Sequence, residues 1–74
     1  MITDVYEWMC VNCDKLVQAI KEDGKMSGPK SEPLLEEAFR MPRPERTWQK
    51  ARELLCIRMR AAGIAHFGPK EDAA

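Results

Sequence analysis

The sequence PERTWQKARELLCIRMRAA, residues 44–62, has the apolar spacing of an amphipathic helix. At about 100° per residue, apolar side chains at intervals of three and four fall on one stripe of a helix. The members of this stripe are Trp48, Ala51, Leu55, Met59 and Ala62. Pro44 suits the first turn, and Gly63 suits the left-handed position after the last turn, with Ile64 placed to contact Met59. The pattern therefore predicts a basic helix over 44–62 with one buried face.

A second apolar row lies away from that stripe, on the side where a helix packed on one face should be polar. It consists of Leu54, Ile57 and Ala61. Charged residues interleave with it, namely Lys50, Glu53 and Arg60. We therefore expect Leu54, Ile57 and Ala61 to contact something beyond the core.

The first part of the chain predicts an acidic amphipathic helix within residues 1–24. Thr3 is a candidate N-cap, and Gly24 ends the pattern. Between them, apolar residues recur at spacings of 4, 3, 4, 3 and 4, as in a heptad seam. The seam residues are Ile2, Tyr6, Met9, Cys13, Leu16 and Ile20, with Cys10 and Val17 widening it.

The middle of the chain predicts a loop over 23–30 and a short helix over 31–40. Ser31 is the candidate N-cap, and Pro42 and Pro44 separate this helix from the next one. No stretch alternates as a strand would, and 63–74 is expected to be a tail. The fold class is therefore all-α, a small helical hairpin or three-helix bundle with two long antiparallel helices and a short middle helix. The predicted core is Cys10, Cys13, Leu16, Ile20, Leu34, Phe39, Trp48, Leu55 and Met59.

The length of 74 residues and the composition bound the class of protein. A chain this short forms one domain that buries only about 60% of its unfolded surface, so a partner or a second copy would add needed burial. With 45% apolar and 32% charged residues it is globular rather than disordered. It has no apolar run of membrane-spanning length and no basic signal-peptide start, so we expect a cytoplasmic protein with reduced cysteines.

The zero net charge hides two oppositely charged halves. Residues 1–39 hold four Lys and eight Asp or Glu, whereas residues 40–62 hold seven Arg or Lys and two Glu. Arginines without a carboxylate three or four residues away in their helix are Arg46, Arg52, Arg58 and Arg60. They face either the acidic half or a partner. Nucleic acid is the alternative partner, bound by a helix-turn-helix of 32–40 and 44–62, although a pI near 6.6 lacks the usual basic excess.

Two apolar residues of the first helix, Trp8 and Val11, lie off its seam beside Lys15. An exposed Trp next to an aliphatic residue has the composition of an interface anchor. The other explanation is that the tail, with Phe67, folds back over them. The sequence leaves both open.

Cys10, Cys13, Cys56 and His66 together would supply the ligands of a tetrahedral zinc site. Cys10 and Cys13 lie within a continuous helical pattern, however, and buried free thiols are common in cores. The favoured interpretation is core thiols, with no metal and no cofactor. A single histidine and the lack of a phosphate loop or nucleophile motif argue against an enzyme.

These observations favour a non-enzymatic protein-interaction module, a small adaptor or inhibitor of the kind phages encode as accessory proteins. It would be a homodimer that docks a helical face on a larger protein partner. The candidate partner-binding residues are Trp8, Val11, Arg46, Leu54, Ile57, Arg58 and Arg60. No catalytic residue is proposed.

Overall fold

The computed structural model describes residues 1–64, which form three α-helices and no strand. Helix α1 spans Val5–Asp23, α2 spans Glu32–Phe39 and α3 spans Glu45–Ala61. The predicted all-α bundle with a short middle helix is confirmed. Most of the predicted tail over 63–74 lies outside the described residues.

Two contacts correct the predicted antiparallel packing of the long helices. The amide of Val5 donates to the carbonyl of Pro42 at 3.0 Å, so the start of α1 lies beside the segment that precedes α3. Farther along both helices, Arg58 reaches Asp14 at 2.9 Å. Because these contacts follow the same order in each helix, α1 and α3 run in the same general direction. Helix α2 and the segments on either side of it carry the chain back to the start of α1.

The core is built mainly from α1, which packs against both other helices. Its members are Val5, Trp8, Met9, Cys13, Leu16, Val17 and Ile20 of α1, Ala38 of α2, and Ala51, Leu55 and Met59 of α3. Leu34 and Trp48, predicted as core, are half-buried against it.

Cys10 and Phe39 were predicted to be core residues, and both are exposed. Cys10 lies at the edge of the α1 seam, outside the buried arc. Phe39 is the last residue of α2 and is 44% exposed. Its ring contacts Trp48, with 5.7 Å between the ring centroids, rather than the centre of the bundle.

Capping groups define the ends of the long helices. Asp4, rather than the predicted Thr3, is the N-cap of α1, and its carboxylate accepts from the amide of Glu7 at 2.9 Å. At the end of α3, Gly63 has φ 77° and donates to the carbonyl of Arg60. The amide of Ile64 donates to the carbonyl of Met59 at 3.0 Å. This pair of bonds is the predicted Schellman motif.

The turn between α1 and α2 is held by the side chains of Asp23 and Ser31. The Asp23 carboxylate accepts from the amides of Ser31, at 2.8 Å, and Lys30. Ser31 is fully buried, and its hydroxyl accepts from the amide of Gly28 and donates to the carbonyl of Met26. The sequence predicted that Ser31 caps α2. Its side chain instead stabilises the loop and makes no capping hydrogen bond to α2.

Acid should remove the contribution of Asp23 to stability. Burial alone would raise the pKa of Asp23, but the amides of Ser31 and Lys30 that bind its carboxylate lower the pKa below its ordinary value of 3.8. The unfolded state then takes up a proton at a higher pH than the folded state does, so this stabilisation is complete well above pH 3.8 and is lost as the pH falls through the lowered pKa.

The measurement is urea denaturation of the wild type and Asp23→Asn at neutral pH and at about pH 3. We expect the wild type to be the more stable at neutral pH and the difference in unfolding free energy to shrink in acid. A difference that stays constant with pH would show that the Asp23 carboxylate does not hold this turn.

Candidate functional site

The solvent side of α3 carries the candidate site. The buried Ala51, Leu55 and Met59 fix this helix against the core, so the residues on the opposite side of the helix point to solvent. A shallow depression there is lined by Gln49, Arg52, Glu53, Cys56, Ile57 and Arg60, which we call the outer face of α3.

The apolar part of the site is the row predicted from the sequence. Ile57 is 60% exposed. Leu54 is half-buried against the core and Ala61 is exposed. A single exposed aliphatic residue is ordinary on a protein surface. What distinguishes Ile57 is that it lies between Leu54 and Ala61 at helical spacing and is bordered by guanidinium groups.

Arginines surround this apolar row without partners in the described structure. Among residues 1–64, no ion pair involves Arg46, Arg52 or Arg60. Arg52 and Arg60 belong to the outer face, and Arg46 is exposed one turn nearer the start of α3. The outer face therefore combines the exposed Ile57 with two arginines and one carboxylate, and it adjoins the rest of the apolar row.

Arg58 differs from the other arginines because it does meet the acidic half of the chain. Its guanidinium donates to Asp14 at 2.9 Å, linking α3 to α1. The side chains are 47% and 88% exposed, respectively. Exposed ion pairs of this kind contribute about 0–1 kcal/mol. Arg58 therefore has an intramolecular role, which leaves Arg46, Arg52 and Arg60, of the four arginines named from the sequence, without an ion pair among residues 1–64.

Trp8 was a candidate partner-binding residue, with cover by the tail as the other explanation, and the structure buries it within the described fold. Its side chain is 1% exposed, and its indole Nε1 donates to Glu37 of α2 at 2.8 Å. The physical reason is that α2 packs on the side of α1 that the heptad seam leaves free. Buried Trp residues generally satisfy their N–H in this way.

Val11 stays exposed, at 70%, but it does not form a patch. Its exposed neighbours at helical spacing are Glu7, Asp14 and Lys15, which are all charged. With Trp8 buried, Val11 has no apolar companion on this side of α1. The predicted tail cover by Phe67 falls outside the described residues.

The four candidate metal ligands are not brought together by the described structure. Cys13 is buried in the core, whereas Cys10 and Cys56 are exposed on α1 and α3. Within residues 1–64, no group of three His, Cys, Asp or Glu side chains lies close enough to hold a metal ion. His66 lies outside the described residues. Burial raises the pKa of the Cys13 thiol, an effect that the charge of Arg58 partly opposes.

Sequence reasoning missed a cluster at the junction of α2 and α3. The guanidinium of Arg43 lies 5.2 Å from the ring centroid of Phe39 and 5.8 Å from that of Trp48. Such cation–π contacts contribute about 0.5–1 kcal/mol at exposed positions. Arg43 is separated from both rings by prolines, so helical spacing gave no signal for it. The cluster joins the end of α2 to the start of α3.

None of the helices within residues 1–64 combines the length and the apolar character needed to cross a membrane. No protein-family profile matches the sequence, and neither a curated protein nor a solved structure matches it.

Proposed function

We propose that this protein is a small, non-enzymatic protein-interaction module, an adaptor or inhibitor that docks the outer face of α3 on a larger protein partner. The observation that carries the proposal is the exposed Ile57, which lies in a row with Leu54 and Ala61. The fold leaves Ile57 and Ala61 exposed and Leu54 half-buried within the described residues, so docking through Ile57 requires no rearrangement of the core.

The physical mode is the insertion of a helical face into a groove. Leu54, Ile57 and Ala61 stand at positions i, i+3 and i+7, the spacing of anchors in complexes of this kind. Full burial of an aliphatic side chain contributes about 1.5–3 kcal/mol, so Ile57 would be the central anchor. The arginines at the edge, Arg52 and Arg60, would set orientation and the rate of encounter.

The compartment that suits this activity is the cytoplasm. Cys10 and Cys56 are exposed free thiols on different helices. Thiols in such positions persist where the surroundings are reducing. We therefore propose a cytoplasmic protein partner.

Nucleic acid remains the second candidate because of the arginines on α3. In a helix-turn-helix, the first helix packs across the recognition helix and crosses the phosphate backbone. Here α2 packs against α1. The C-terminal end of α2 contacts α3, through Phe39 and Trp48. The scaffold thus supports a protein partner better than a DNA groove. Binding of DNA or RNA that weakens steeply with salt would favour the nucleic-acid function instead.

Replacing Ile57 by Glu should abolish partner recovery in a pull-down from the source cell. A carboxylate at the centre of the apolar row would be buried without a partner of its own, which costs several kcal/mol. We expect proteins recovered with the wild type to be missing with Ile57→Glu.

The matched control is Val11→Glu, which places the same charge on an exposed aliphatic position of α1. We expect it to recover the same proteins as the wild type, and circular dichroism should give equal helicity for all three chains. Recovery of the same partners by Ile57→Glu would reject the outer face as the docking surface.

A further inference from the structure

If the outer face docks a partner, as the proposed function requires, its charges determine which surface fits it. We propose that its occupant is a different protein presenting an apolar groove edged by Asp and Glu side chains, rather than a second copy of this chain. The charges of the outer face and the packing of α2 lead to this assignment.

The charges of the outer face require carboxylates from the partner. Arg52 and Arg60 outnumber Glu53, the only carboxylate of this face, and Lys50 adds a further exposed cation beside it. Docking that buries Ile57 removes water from the neighbouring guanidinium groups. A desolvated cation is costly unless it is paired, and a guanidinium pairs best with a carboxylate, through two parallel hydrogen bonds.

A symmetric dimer through α3 would bring like charges together. In a two-fold interface the same patch meets itself, so two outer faces would together hold four arginines and only two glutamates, whichever residues face each other. Like-charge contacts of this kind oppose association. Glu53 alone cannot neutralise them within each copy.

The acidic surface of a second copy does not offer a groove either. The exposed carboxylates of α2 are Glu32, Glu36 and Glu37. Leu34 and Leu35 of this helix are packed against its own core, and the exposed Phe39 contacts Trp48 and Arg43 of the same chain. Helix α2 therefore presents charge without a pocket for Ile57, and the proposed acidic groove belongs to a foreign protein.

The test is site-directed photocrosslinking in the source cell. p-Benzoylphenylalanine replaces Ile57 in one chain and Val11 in a control chain, and mass spectrometry maps the residues joined to each. We expect position 57 to give an adduct with another protein at a site where Asp and Glu outnumber Lys and Arg. Position 11 should give no comparable adduct.

A charge-reversal pair then tests the role of the arginines. The double variant Arg52→Glu with Arg60→Glu carries the crosslinker at position 57. We expect its adduct yield to fall about tenfold, which corresponds to about 1.4 kcal/mol of binding free energy. Lys15→Glu reverses an exposed cation on α1 and should leave the yield unchanged. Neither change removes an ion pair found among residues 1–64.

The outcomes separate this inference from the proposed function. Three results would contradict the acidic partner but leave the docking face intact. They are an adduct with a second copy, an adduct at a cation-rich surface, and an adduct yield that Arg52→Glu with Arg60→Glu does not change. An adduct at 57 no stronger than that at 11 would overturn the docking face itself, and the inference with it.

Discussion

Trp8→Ala should lower the free energy of unfolding by about 3–5 kcal/mol, the range for truncating a buried Trp or Phe. The side chain is 1% exposed and lies where α2 packs on α1, so its removal leaves a cavity that the surrounding helices cannot fill. It also removes the hydrogen bond to Glu37. Since a domain of this length has a total stability of about 4–11 kcal/mol, the loss is a large share of the whole.

Urea denaturation followed by circular dichroism measures this effect, and Val11→Ala is the matched control in the same helix. Val11 is 70% exposed, so its truncation should change the unfolding free energy by less than about 0.5 kcal/mol. Trp8→Phe should fall between the two, because it keeps most of the ring and loses the N–H donor. A cost below about 1 kcal/mol for Trp8→Ala would contradict the burial of Trp8 beneath α2.

Local signals in the sequence predicted the helices well. The period of the apolar residues predicted α1 and α3, and the Gly63 and Ile64 pair predicted how α3 ends. These features depend on residues a few positions apart. The prediction of these features therefore does not depend on how the helices pack.

The arrangement of the helices depends on distant contacts, and there the sequence was misleading. A heptad seam predicts one buried face, but α1 packs against two helices and its buried arc is wider than one seam. This is why Trp8, which lies off the seam, is a core residue. The direction of α3 depends on how far α2 and its flanking segments carry the chain back, which no helical period encodes.

The candidate site was predictable to the extent that it belongs to one helix. The helical period that predicts the buried stripe of α3 also shows which apolar residues lie outside that stripe. Leu54 and Ile57 were predicted as site residues on this basis. Ile57 stays exposed and Leu54 is only half-buried, because α2 packs on α1 and leaves α3 covered on one side. The pairing of Arg58 with Asp14 joins two helices, so the sequence could offer it only as one of two explanations.

Leu16→Ala should lower the free energy of unfolding by about 2–5 kcal/mol. Leu16 is fully buried in the middle of α1, within the core that α1 and α3 share. Both residues of the change are good helix formers, so the cost comes from lost packing rather than from helix propensity.

The matched comparison for Leu16→Ala is Ile57→Ala, an aliphatic-to-Ala change at a 60% exposed position of α3. We expect it to cost less than about 1 kcal/mol in the same denaturation experiment, while weakening partner recovery. Core and docking face would then separate cleanly, because one change affects the fold and the other affects binding. If Ile57→Ala instead cost as much as Leu16→Ala, Ile57 would be covered in the isolated protein, and the outer face could not receive a partner.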